Sequence, residues 1–118
     1  MAADQVADQL LVTGLDDWVH FADVFWTARN LGSTEDVVAS ALEAIRQLLE
    51  GGLVEVGDVA RGSGFQAWDL ETSAALNRIE REWRSLGRDP YPGDIGWLRS
   101  TPSGKRRGQD VLAQQGRA

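Results

Sequence analysis

The chain has 118 residues, no cysteine, 12 basic and 18 acidic side chains, and a formal net charge of -6. That length suits one domain able to fold around its own core, and 42% hydrophobic with 25% charged residues excludes disorder as the state of most of the chain. Without a thiol there is no disulfide framework and no thiolate chemistry, so a reducing cytoplasm is the expected compartment.

The first twenty residues, MAADQVADQLLVTGLDDWVH, lack a basic leader region, and acids at Asp4, Asp8, Asp16 and Asp17 interrupt the apolar positions. A secretory leader is not expected. No run reaches the roughly 18 apolar residues that a membrane span requires, so a soluble protein with no membrane contact is expected. Within this opening stretch, apolar residues at Ala3, Val6, Ala7, Leu10 and Leu11 recur at helical spacing, and Gly14 ends a predicted first helix over 3–13.

A second helix is predicted from Asp16 to Arg29, with two carboxylates at its start and Trp18, Phe21, Ala22, Phe25 and Trp26 along it. Val19 and Val24 widen its apolar face, the pattern of a buried helix. The third helix has the clearest signature: Ser33 as N-cap, Glu35 and Asp36 in the first turn, and Gly51-Gly52 as the stop. Two adjacent stripes, Val38/Leu42/Ile45/Leu49 and Val37/Ala41/Ala44/Leu48, face the core. The opposite side carries Asp36, Ser40, Glu43, Gln47 and Glu50 and is acidic.

After the glycine pair, LVEVGDV reads as a short strand and ARGSG as a turn. FQAWDL is either a second strand or the lead into a fourth helix, Glu71 to Leu86, with core positions Ala75, Leu76, Ile79, Trp83 and Leu86. GRDPYPGD must be loop because Pro90 and Pro92 have no amide proton, and Ile95 to Ser100 is the last strand candidate. Thr101 followed by Pro102 is a cap-and-first-position pair. Lys105, Arg106 and Arg107 would crowd the first turn, where the helix dipole disfavours cations, and Gly104 and Gly108 weaken any helix. A domain over 1–102 and a basic, flexible tail over 103–118 are therefore expected.

The phrases RNLG, EGGLVEV and LRSTPSG, in the order helix, helix, turn, long helix, strand and final strand, resemble a winged helix-turn-helix domain, and the resemblance covers most of the chain. It implies an α+β, mainly helical fold: a winged-helix-like three-helix core and a small antiparallel sheet. Here an extra helix is inserted between the two expected wing strands, about 35 residues in place of a short hairpin loop of about 2 to 5.

In DNA readers of this type the third helix enters the major groove, and Lys and Arg neutralise phosphates. Here that helix presents Asp36, Glu43 and Glu50 against Arg46. Carboxylates within a Debye length of about 8 Å of a phosphate lattice repel it.

Basic charge is local: residues 1–98 hold seven arginines against 17 acids, whereas 99–118 hold Arg99, Lys105, Arg106, Arg107 and Arg117 against Asp110. Arg78, Arg81, Lys105, Arg106 and Arg107 are the candidate anion or nucleic-acid contacts, although Glu80 and Glu82 among the fourth-helix arginines favour a mixed, solvated face. Of the five tryptophans, Trp18, Trp26 and Trp83 fall on core-directed helical positions, and Trp68 and Trp97 are the candidate partner contacts.

Catalysis finds no motif. His20 is the only histidine, with Asp16 and Asp23 at i-4 and i+3, and this pairing reads as a polar contact before a metal site or proton relay. RGSG lacks the Lys-Ser/Thr of a phosphate loop. No cofactor, metal or small-molecule ligand is inferred, and an enzyme is not expected. The expected function is a non-catalytic protein-interaction module that self-associates as a homodimer or binds a protein partner; the alternative is a DNA-binding regulator.

Overall fold

In a computed structural model, which describes residues 2–32 and 35–116, the order of elements is α1 (Ala2–Thr13), β1 (Val19–His20), α2 (Phe21–Leu31), α3 (Val37–Glu50), β2 (Val54–Ala60), β3 (Gly64–Ala67), α4 (Thr72–Ser85), β4 (Trp97–Ser100) and α5 (Pro102–Gly116). The fold is α+β and mainly helical, as expected. One antiparallel sheet has the strand order β1-β4-β2-β3.

The register explains where the core lies. Val19 pairs with Leu98, Val56 with Leu98 and Val54 with Ser100, so the apolar members of three strands share one face. That face joins Val6, Leu10 and Leu11 of α1, Phe21 and Val24 of α2, Ala41, Ala44, Ile45 and Leu48 of α3, and Ala75, Ile79 and Trp83 of α4 in one buried cluster. Both predicted stripes of the third helix reach it, the Ala41/Ala44/Ile45/Leu48 centre fully and Val37, Val38, Leu42 and Leu49 in part.

Helix ends follow local chemistry. Gly14 donates its amide to Leu10 O at 2.9 Å and closes α1. At the end of α3, Gly51 N donates to Gln47 O at 3.0 Å and Leu53 N to Leu48 O at 2.9 Å, with Gly52 at φ 67° making the reversal that a side chain would oppose. Ser33, the expected N-cap of this helix, lies outside the described residues. The cap is Asp36, whose carboxylate accepts from Ala39 N at 3.0 Å, and the helix begins at Val37.

Four further expectations are corrected. The second helix starts at Phe21 rather than Asp16: His20 is its N-cap, its Nδ1 accepting from Asp23 N at 3.3 Å, and Asp16 and Asp17 stand in the preceding turn. The buried face of this helix is Phe21, Ala22, Val24, Phe25 and Ala28, centred one step away from the expected stripe, so Trp26 falls at its edge and is 52% exposed. Trp18 is on no helix. It packs against Phe65 with ring centroids 5.9 Å apart and the planes tilted by 43°.

The third correction concerns the hairpin. The inserted α4 does lie in sequence between the paired strands β2 and β4, but β2 has a nearer partner, β3, reached through a tight turn closed by Ser63 N donating to Ala60 O at 3.0 Å. A short hairpin is therefore present, and α4 follows it. The fourth concerns the C-terminus, where residues expected as a flexible tail form α5. Thr101 caps it as anticipated, its Oγ1 accepting from Gly104 N at 3.1 Å and donating to Gly52 O at 2.7 Å. Its glycines are contact points rather than weak points. Gly104 lies so close to Leu53 that a Cβ would overlap the Leu53 carbonyl oxygen, and a Cβ on Gly108 would sit 2.7 Å from Leu11 O.

Candidate interaction surface

The solvent side of α3 is the most regularly charged helix face of the expected site. Its outward stripe runs Asp36, Ala39, Glu43, Arg46 and Glu50, at alternating steps of three and four. Arg46 is bound by Glu43 at 2.6 Å. The Asp36 carboxyl is held below its ordinary pKa, first by the Ala39 amide and then by the Arg84 guanidinium at 3.4 Å, so it stays charged at neutral pH. The stripe thus sets three carboxylates against one guanidinium, with Glu43 paired to Arg46 and Asp36 to Arg84, and its excess charge is negative.

The sequence-predicted cations do not form one band. Arg78 lies in a cleft between α4 and the hairpin, bound by Glu82 at 2.7 Å and 3.8 Å from Asp58, with its guanidinium 3.8 Å from the centre of the Trp68 ring. Arg81 lines the same cleft of about 590 Å³, together with Asp58, Glu82 and Asp94. Lys105 lines a different recess with Asp16, Asp17, Trp18 and Arg99. Arg106 donates to Ser103 Oγ at 3.0 Å, and Arg107 pairs with Asp8 of α1 at 3.2 Å. The structure brings Arg78 and Arg81 together and leaves Lys105, Arg106 and Arg107 on another helix, each pair or group facing carboxylates or its own helix.

Trp68 and Trp97 are both half-buried. Trp97 meets the His20 ring edge-on at 5.7 Å on the sheet face opposite the core. Trp68 packs against Gly96 under Arg78, and its Nε1 is the one buried side-chain polar atom without a hydrogen-bond partner among the described residues. Near it Ile95 holds φ 70°, a left-handed conformation costly for a β-branched residue, fixed by Gly96 N donating to Asp94 O at 2.8 Å. His20, the only histidine, has Nε2 3.4 Å from Asp23 Oδ2 and is spent as a helix cap.

One further surface was not singled out from the sequence. The outer sheet face carries Trp18, Phe65 and Arg99, with Arg99 held by Glu55 at 2.8 Å and stacked 4.4 Å from the Phe65 ring centre. Beside it β3 forms the end of the sheet, with Gln66 and Ala67 exposed. The signal available in sequence was GFQA itself, a strand-length run with no charge and no proline. Trp26 and Leu31 are exposed elsewhere, lining a groove between α1 and α2 of about 330 Å³ with Gln9, Thr13 and Asp23. Among the described residues no helix is long and apolar enough to cross a membrane. No known protein family, curated protein or solved structure matches this chain.

Proposed function

We propose that this chain is a non-catalytic, winged-helix-like interaction module of the cytoplasm that works by self-association rather than by reading DNA. The helix order α1-α2-α3 followed directly by the β2-β3 hairpin supports the winged-helix reading. The observation that carries the functional reading is the outward stripe of α3. A helix meant for a major groove needs cations and donors facing phosphate, whereas this one sets Asp36, Glu43 and Glu50 against Arg46, an excess of negative charge. Packing of α4 onto α3, with Arg84 reaching Asp36, also narrows the surface that a groove could receive.

The alternative, a DNA-binding regulator, requires Arg78, Arg81, Lys105, Arg106 and Arg107 to act together on one backbone. Arg78 and Arg107 are already engaged by carboxylates, and the two groups stand on different helices. Sedimentation velocity on the full chain, paired with titration against a labelled duplex in low salt, separates the readings. The expected result is a mass that rises with protein concentration and no saturable duplex binding. Steeply salt-dependent duplex binding by a protein that stays monomeric would overturn the proposal.

A further inference from the structure

The self-association proposed above leaves open which surface is used, and the geometry points to β3 as a strand that pairs with β3 of a second copy across a two-fold axis. Among the described residues β3 is the outermost strand and pairs with β2 alone. Trp68 N donates inward to Val56 O at 2.9 Å, and Asp58 lies opposite Gln66 and Ala60 opposite Gly64. Backbone groups alternate in direction along an antiparallel strand. With Trp68, Gln66 and Gly64 turned toward β2, the N–H and C=O groups of Phe65 and Ala67 point away from it.

Exposed edges in folded proteins are ordinarily blunted by lysine, proline, a bulge or brevity. The other edge of this sheet follows that rule, since β1 is two residues long and runs straight into α2. β3 is only partly protected: it is four residues long and opens on Gly64 at φ 70°, but it carries no lysine or proline, and Gln66 and Ala67 are exposed. It is also held in place, through Phe65 against Trp18 and Arg99 and through Trp68 beneath Arg78, so little ordering remains to be done when a partner strand arrives.

A second copy fits because the outward groups lie symmetrically about Gln66. A two-fold axis through Gln66 lets Phe65 of each copy exchange both backbone hydrogen bonds with Ala67 of the other, four in all by the geometry of the ladder. The side chains then match in size: Phe65 faces Ala67, and Gly64 faces Trp68. From Val59 to Trp68 there is no carboxylate, so two copies of an acidic protein meet here without like charges opposed. Along α3, by contrast, a second copy would bring acid against acid. The contact is small, which implies a weak dimer that forms with concentration.

Two substitutions test the edge by sedimentation velocity from about 10 µM to about 1 mM. Ala67→Pro removes an amide that faces solvent, so the monomer loses no ladder bond while the dimer does. Gln66→Lys sits opposite Asp58 in its own chain, which suits the monomer, but meets itself across the axis, where like charges repel. Each is expected to weaken dimerisation at least about tenfold with an unchanged circular dichroism spectrum, and added salt should partly restore Gln66→Lys. If Ala67→Pro fails to fold, Gln66→Lys and its salt response decide. Wild-type protein that is monomeric throughout would overturn both this inference and the self-association beneath it. Variants that dimerise as well as wild type would overturn the β3 edge alone.

Discussion

The α5 helix and the outer part of the β2-β3 hairpin are held to the same core in opposite ways. α5 is fixed by backbone: Gly104 rests on the Leu53 carbonyl, Gly108 on that of Leu11, and Val111 is the buried side chain beyond them. β4 holds the root of the hairpin through Val54 to Gly57, and beyond that stretch the hairpin is fixed by side chains, Arg78 over Trp68 and against Asp58, and Phe65 beneath Arg99 and Trp18. A backbone contact has no flexible part to yield, whereas a side-chain contact loosens by degrees. The segment with the poorer local propensity is therefore the one that tolerates least change. The segment with good strand residues keeps an open edge.

The largest expected effect comes from adding a methyl group to α5. In a solvated helix Gly→Ala gains up to about 1 kcal/mol. At Gly104 the new Cβ would overlap Leu53 O, so Gly104→Ala is expected to lower stability by about 2 kcal/mol net, roughly 10 °C in thermal midpoint. Gly116, with no atom within 4 Å of an added Cβ, supplies the control, and Gly116→Ala is expected to be neutral or slightly stabilising. A thermal melt showing the same sign for both would mean that α5 is not held by close backbone approach.

These glycines also show where sequence reading stops. α3 and α4 were legible because their apolar period and stop signals are local, and the buried set Ala75, Ile79 and Trp83 is the one the spacing indicates. The acidic outer stripe of α3 was legible for the same reason. α5 was not, because Gly104 and Gly108 weaken a helix locally and their value lies in residues about 50 and 97 positions away. The start of α2 was misplaced because Asp16 and Asp17 supply a familiar N-terminal signal, while the actual cap uses a histidine ring nitrogen. That shift takes Trp18 off the helix altogether, whereas Trp26 stays on it and is exposed because the core meets the Val24/Ala28 side instead. Ion pairs between elements, such as Arg107 with Asp8 and Arg84 with Asp36, join residues whose proximity exists only after folding. The open edge at β3 was hidden for the same reason, since a strand becomes an edge only when the order of the sheet is known.

A smaller effect is expected on the hairpin side. Arg78→Ala removes the guanidinium from the Trp68 face and from Asp58, worth about 1 kcal/mol for a half-exposed cation-π contact. The cost should fall on the hairpin first. Faster amide exchange in 56–68, with α5 unchanged, is the expected pattern, and Arg78→Lys should recover part of it. Equal loss of protection in both regions would mean that the hairpin and α5 open as one unit, which would remove the distinction between them.

The weakest tether lies in the turn that leads from α4 to β4, and its contribution depends on pH. Asp94 accepts from Arg88 at 2.7 Å and from Tyr91 N at 2.8 Å, and these bonds, the arginine's first, hold its carboxyl below the ordinary aspartate range. A carboxyl whose folded pKa is depressed stabilises the fold fully above its unfolded pKa of about 3.9 and loses that contribution as pH falls through the folded value. Both groups are solvent-facing, so the effect is expected to be the smallest of the set. Asp94→Asn should melt below wild type at pH 7, with the gap closing only below about pH 4. Because the turn sets Ile95 in its left-handed conformation ahead of β4, and β4 carries both α5 and β2, the same variant should slow neither region's exchange and should loosen both slightly. A gap between the two melting curves that stayed constant from pH 7 to pH 3 would assign Asp94 a packing role independent of its charge, and the side-chain tether would then belong with the backbone contacts of α5.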